Sequence, residues 1–183
     1  MTTIIGIAGS LRAGSFNAAL LGAAAELAPA GCTIEIGSIR GIPLYDGDVE
    51  AKDGIPGPVA ALKERIAAAD GLLLVTPEYN NSMPGVFKNT IDWLSRPPKD
   101  VPRVFRGKPV ALIGASPGRM GTAFSQTAWL QVFRALGMRP WFGATLYVGG
   151  AAALFDAEGR LTDADTRKRL AAFVEGFSAY CAA

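Results

Sequence analysis

The 183-residue sequence contains no histidine. That single absence removes Ser-His-Asp and Cys-His triads, His-bearing zinc sites and imidazole acid–base catalysis. Cysteine is almost missing too, with Cys32 and Cys181 near opposite ends of the chain. Two such thiols do not make a disulfide framework, and a reduced, cytoplasmic setting is the default expectation. No apolar run is long enough to span a bilayer. The stretch from Ala18 to Ala28 is too short and is interrupted by Glu26. The chain reads as a strand almost from Met1, without the basic and apolar regions of a signal peptide. Charge is scarce: 19% of residues are charged and the formal net charge is +2, too little to point to nucleic acid. The short basic run Arg167-Lys168-Arg169 falls on a predicted helix and reads as a solvated face. Neither nucleic acid nor a membrane is an expected partner.

Half of the residues are hydrophobic, and the length fits one domain over residues 1–183. Strand-like segments at 3–8, 33–37, 71–75, 109–114 and 141–148 alternate with helix-like segments at 15–27, 59–69, 84–95, 122–136 and 164–180. Local signals punctuate them. Pro29-Ala30-Gly31 stops the first helix, Pro84 opens the third, Gly137 closes the fourth and Asp163 caps the last. The run Gly71-Leu72-Leu73-Leu74-Val75 has the unbroken apolar character of a strand covered on both faces. This alternation predicts an α/β fold: a doubly wound, five-stranded parallel sheet in the flavodoxin-like order 2-1-3-4-5, with helices on both faces. The stretches 38–58 and 95–108 read as long surface or interface loops.

In such sheets ligands sit beyond the carboxyl ends of the strands, where the strand order reverses. Three loops leaving strands one, three and four carry unusual residues. The first, Gly9-Ser10-Leu11-Arg12-Ala13-Gly14-Ser15-Phe16-Asn17, joins a strand to a helix start, a simple device for holding a phosphate. It lacks the lysine of a nucleoside-triphosphate loop, because Ser15 stands there, and no Gly-x-Gly-x-x-Gly is present. What remains suits a monophosphate: the hydroxyls of Ser10 and Ser15, the amide of Asn17, the cation of Arg12 and helix N-terminal N–H groups. An ordinary Ser15 cap with a tight turn explains this loop equally well. The second loop, Thr76 to Gly85, brackets Glu78, Tyr79, Asn80 and Asn81 between Pro77 and Pro84. Its peptide groups and the Tyr79 ring suit a flat heterocycle, although Asn80-Asn81 is also plain turn chemistry. In the third loop, Ser116 and Gly118 are placed to approach the same ring, and a simple turn into the next helix is the plainer account.

Gly9-Ser10-Leu11-Arg12-x-x-Ser15-x-Asn17, Pro77-Glu78-Tyr79-Asn80 and Pro84-Gly85-x-x-Lys88-Asn89-x-Ile91-Asp92-Trp93 together resemble the NADPH-dependent FMN reductase family of flavodoxin-like quinone, chromate and azo reductases. The resemblance implies non-covalent FMN, with NADPH or NADH as co-substrate. By it, Ser10, Arg12, Ser15 and Asn17, with Phe16 beside them, would hold the phosphate. Pro77, Glu78, Tyr79, Asn80 and Asn81 would line the ring and ribityl chain, with Ser116 and Gly118 on the ring side. It implies a small acceptor such as a quinone, a flavin, an azo compound or a metal oxyanion, and a homodimer or homotetramer. Where relatives often carry a double glycine and then an arginine after the third loop, this chain reads Gly121-Thr122-Ala123-Phe124, which departs from their charged subunit contacts. A flavin supplies the hydride chemistry itself, so the missing histidines are no obstacle and no catalytic side chain is assigned. A flavodoxin-type electron carrier is the competing reading. Such carriers are usually strongly acidic for docking, and a net charge of +2 fits that poorly.

Overall fold

The computed structural model describes residues 1–183. Its elements are β1 (Thr2–Ala8), α1 (Phe16–Glu26), β2 (Cys32–Gly37), α2 (Gly47–Asp53), α3 (Gly57–Ala68), β3 (Gly71–Val75), α4 (Gly85–Leu94), α5 (Val101–Val104), β4 (Pro109–Ala115), α6 (Ala123–Leu136), β5 (Arg139–Pro140), β6 (Leu146–Val148) and α7 (Ala164–Ala182). The strands are parallel in the order β2-β1-β3-β4-β5, and β6 also pairs with β4. The sequence-based fold class and strand order are therefore the observed ones.

Every residue of β3 is buried, and its side chains alternate between two cores. Leu73 and Val75 join Ile4, Ile113 and residues of α1 and α7 on one face, including Leu20, Leu21, Phe173 and Phe177. Leu72 and Leu74 join Ile5, Ile7 and residues of α3, α4 and α6 on the other, including Leu62, Phe87 and Trp129. The helix ends follow local chemistry. The Ser15 hydroxyl accepts the Ala18 N–H at 3.2 Å, and Asp163 accepts the Thr166 N–H at 2.8 Å. Gly137 closes α6 with φ 66°, the left-handed conformation that glycine adopts freely.

Two expectations are corrected. The fifth strand is not one segment. Arg139–Pro140 and Leu146–Val148 pair separately with β4, and residues 141–145 leave the sheet between them, which makes six strands. Trp141 explains the break. Its ring packs edge-on against Phe173 at 4.8 Å between centroids, and a Cβ on Gly143 would lie 2.5 Å from its indole nitrogen. The chain thus folds back over its own tryptophan instead of running on. The second correction concerns the two long loops, which contain α2 in 38–58 and a 3₁₀ turn (Pro98–Asp100) followed by α5 in 95–108.

The first of these segments is a strap across α4. The Pro43 carbonyl accepts from Asn89 Nδ2 at 2.8 Å and from Trp93 Nε1 at 2.9 Å. Asn89 Oδ1 in turn accepts the Tyr45 N–H at 2.8 Å, and the Tyr45 ring meets Trp93 edge-on at 5.0 Å. Further along, Glu50 Oε2 accepts from the Tyr45 hydroxyl at 2.9 Å and from Arg96 Nε at 2.7 Å. The Arg96 guanidinium holds the Glu50 carboxyl below its ordinary range, and the Tyr45 hydroxyl adds to this. A lowered folded-state pKa contributes stability above the unfolded carboxylate range and loses it as pH falls through the lowered value. Glu50→Gln should therefore be less stable than the parent at neutral pH, with the gap narrowing on acidification. Urea unfolding at several pH values measures this, and a gap independent of pH would contradict the assignment.

Candidate functional site

The three loops leaving β1, β3 and β4 meet at one edge of the sheet. The first is laid close against α4. Gly9 donates its N–H to the Val75 carbonyl at 2.9 Å, and a Cβ at Gly9 would stand 2.1 Å from the Phe87 ring. Only glycine allows this approach. Ser10 Oγ accepts the Arg12 N–H at 3.3 Å. The Arg12 side chain donates from Nε to the Gly14 carbonyl at 3.1 Å and lies 5.6 Å from the Phe16 ring centroid. The N–H groups of Ser10, Leu11, Ala13, Gly14, Ser15, Phe16 and Asn17 have no acceptor within the protein. They end at the amino terminus of α1, where the helix dipole favours an anion.

The second loop is braced from below. The buried Thr76 hydroxyl accepts the Trp129 indole N–H at 3.1 Å and shares a 2.8 Å hydrogen bond with the Ser125 hydroxyl. α6 begins without a side-chain cap from its own Thr122. Glu78 supplies one from outside, its carboxylate accepting the Ser125 N–H at 3.0 Å. Tyr79 and Ser82 exchange two backbone hydrogen bonds of 3.1 Å around Asn80 and Asn81, whose φ values of 51° and 58° define a type I′ turn. In the third loop, the Ser116 hydroxyl donates to the Gly121 carbonyl at 2.6 Å and its N–H to the Val148 carbonyl at 2.9 Å.

Asn17 ties the first loop to the third. Its Nδ2 donates to the Ala115 carbonyl at 2.8 Å and its Oδ1 accepts the Ala115 N–H at 2.9 Å. The amide that the sequence assigns to a phosphate is thus largely committed to the sheet; one Nδ2 hydrogen remains free.

Ser10, Arg12, Ser15, Phe16, Asn17, Pro77, Glu78, Tyr79 and Ser116 border a single open cleft. Asn80, Asn81 and Gly118 do not border it; the first two sit in the Tyr79–Ser82 turn and the third in a turn closed by the Gly121 N–H. Ala115 and Pro117 also line the cleft and escaped the sequence reading. So did Thr76 and Ser125, which support it. No group of residues fit to hold a metal ion is present. Burial pushes the Cys181 thiol up to about 12, which leaves it a poor nucleophile. No helix is long and apolar enough to cross a membrane.

This donor set fits a phosphate monoester carrying a flat, partly apolar body. Unpaired N–H groups and two hydroxyls stand at one end, and Pro77, Tyr79, Ala115 and Pro117 form the walls. The model of the NADPH-dependent FMN reductase family matches residues 2–153. The chain belongs to that family. It is 48% identical to an NAD(P)H-dependent FMN reductase of Pseudomonas aeruginosa over 165 residues, covering 90% of this chain and 87% of that one. It is 42% identical to a 2-hydroxy-1,4-benzoquinone reductase of a Burkholderia species over 174 residues, covering 95% and 93%. The structure of a flavoenzyme NAD(P)H:(acceptor) oxidoreductase from Paracoccus denitrificans superposes with a TM-score of 0.87 at 35% identity, covering 99% of this chain and 97% of that one.

For this FMN reductase family member, the Asn17–Ala115 pair is a structural tie. Asn17→Ala should lower unfolding stability by roughly 1–3 kcal/mol for each buried peptide group left without a partner. Chemical denaturation reads the loss; a variant as stable as the parent would show that the tie contributes nothing.

Proposed function

We propose that the chain is an FMN-dependent NAD(P)H oxidoreductase that passes two electrons to a small acceptor. The observation that carries this reading is the row of unpaired N–H groups at the start of α1, with the Ser10 and Ser15 hydroxyls beside it. Family membership and the quinone and FMN reductases among the relatives support it. A quinone or a free flavin is the acceptor class most in keeping with those relatives, and azo compounds and metal oxyanions are further candidates. A homodimer or homotetramer belongs to the same reading, as do a single domain over residues 1–183 and a cytoplasmic setting.

FMN, when bound, supplies the two-electron chemistry, so the protein contributes binding, orientation and electrostatics. Ser10 and Ser15 would donate their O–H groups to the phosphate. Ser15 does this while its oxygen still caps α1. Arg12 adds positive charge, and the free hydrogen of Asn17 Nδ2 is a further donor. Pro77, Tyr79, Ala115, Ser116 and Pro117, which line the cleft, would hold the ring. Glu78 places its carboxylate on the α6 amino terminus, where the Ser125 N–H engages it. No side chain in the cleft is assigned a proton-transfer role.

Two measurements test the reading. The purified protein, or protein refilled with FMN, should show flavin absorbance that bleaches with NADPH or NADH and returns when a quinone is added. No nicotinamide oxidation with any quinone or flavin acceptor would defeat it. Ser15→Gly separates the two roles of that residue. Glycine at an N-cap costs only a few tenths of a kcal/mol, whereas a hydrogen bond to a charged group is worth roughly 1.5–3 kcal/mol. FMN retention should fall with unfolding stability nearly unchanged. Unaltered FMN affinity would remove Ser15 from the phosphate seat.

A further inference from the structure

A second groove lies on the other side of the first loop, between the carboxyl ends of β1 and β2. Two turns of the same pattern form it. Ser10-Leu11-Arg12 follows β1 and Ser38-Ile39-Arg40 follows β2, and β1 and β2 are paired side by side as far as Ile7 and Gly37. In each turn the serine Oγ accepts the N–H of the arginine two residues on, at 3.3 Å for Ser10 and 3.2 Å for Ser38. Arg40 bridges them, its Nη2 donating to the Leu11 carbonyl at 2.8 Å. Arg12, Arg40, Ser10 and Ser38 all border the groove, and no acidic residue does. No carboxylate pairs with either arginine, although half of the twelve arginines of this chain have such a partner. The remaining N–H groups of Arg40 and the Ser38 hydroxyl hydrogen are therefore available to an outside anion, while Arg12 is turned to the Gly14 carbonyl. Ile36, 54% exposed, gives the groove an apolar floor.

Resting on the proposed nicotinamide-dependent activity, we infer that this groove seats the 2′-phosphate of NADPH, with Arg40 and Ser38 as the residues that select NADPH over NADH. The two dinucleotides differ only in that phosphate. A monoester dianion matches the Arg40 guanidinium and the Ser38 hydroxyl, with the positive charge of Arg12 nearby, and Ile36 suits the adenine beside it. The groove shares Ser10 and Arg12 with the FMN cleft, so one dinucleotide running alongside that cleft reaches both. Arg40 and Ser38 border only the groove. Ser38 can therefore be changed without touching the phosphate seat of FMN, and Arg40 reaches that loop at the Leu11 carbonyl alone.

The experiment is steady-state kinetics of the FMN-loaded full chain with NADPH and NADH against one quinone, alongside direct calorimetric binding of 2′-AMP and 5′-AMP. The parent should prefer NADPH and bind 2′-AMP more tightly. Arg40→Gln should raise KM for NADPH roughly tenfold or more, as expected for loss of charge-assisted hydrogen bonds, with KM for NADH changed far less. Arg40→Lys should keep part of the preference, and Ser38→Ala should lose less than Arg40→Gln. A parent that prefers NADH, an equal loss with both dinucleotides, or a fall in FMN retention in Ser38→Ala would overturn the assignment, the last by showing that the groove serves FMN instead. Should neither dinucleotide be oxidised, the activity itself fails, and the 2′-AMP against 5′-AMP comparison still decides the groove.

Discussion

A side-chain amide on the first turn of α1 makes the pair of hydrogen bonds to Ala115 that a neighbouring strand would otherwise make. Asn17 is buried, so its partners cannot be replaced by water without cost. Its two bonds fix where α1 begins relative to the end of β4. Everything in the first loop follows from that placement. With the helix start held, the N–H groups of residues 13–17 stay unpaired and are not taken up by a shifted turn. The third loop departs from the same Ala115. Thr76, Ser125 and Glu78 do the same work for the second loop, tying it to the start of α6. The candidate site is thus a set of loops whose anchoring bonds run underneath, leaving the upper donors unspent.

Much of the fold was legible because it is written locally. The β3 run is apolar at every position, and the two-residue alternation divides it between two cores without help from elsewhere. Ser15, Asp163 and Gly137 mark helix ends through their own backbone chemistry. The fifth strand was not legible. Trp141 through Leu146 has strand composition, and only α7, far along the chain, supplies the Phe173 and Phe177 rings on which the indole packs.

The candidate site was legible in its residue types and less so in their roles. Ser15 and the glycines of the first loop follow the rules for strand-to-helix junctions. Asn80-Asn81 follows the rule for a tight turn, which is where the structure puts it. Asn17 and Glu78 stand on the right loops, yet their partners, Ala115 and the Ser125 N–H, are supplied by β4 and α6. No local pattern names a partner 98 or 47 residues away. Ala115 and Pro117 carry no polar group that would have drawn notice, although they form a wall.

The Lys88-Asn89-x-Ile91-Asp92-Trp93 stretch has a different lesson. Its asparagine and tryptophan converge on one carbonyl oxygen of Pro43, and its lysine and aspartate pair with each other at 2.6 Å. None of the four faces the cleft. A sequence signature can therefore be kept for carpentry remote from the reaction it advertises. A relative that dispensed with the strap would be free to lose the signature and keep the chemistry.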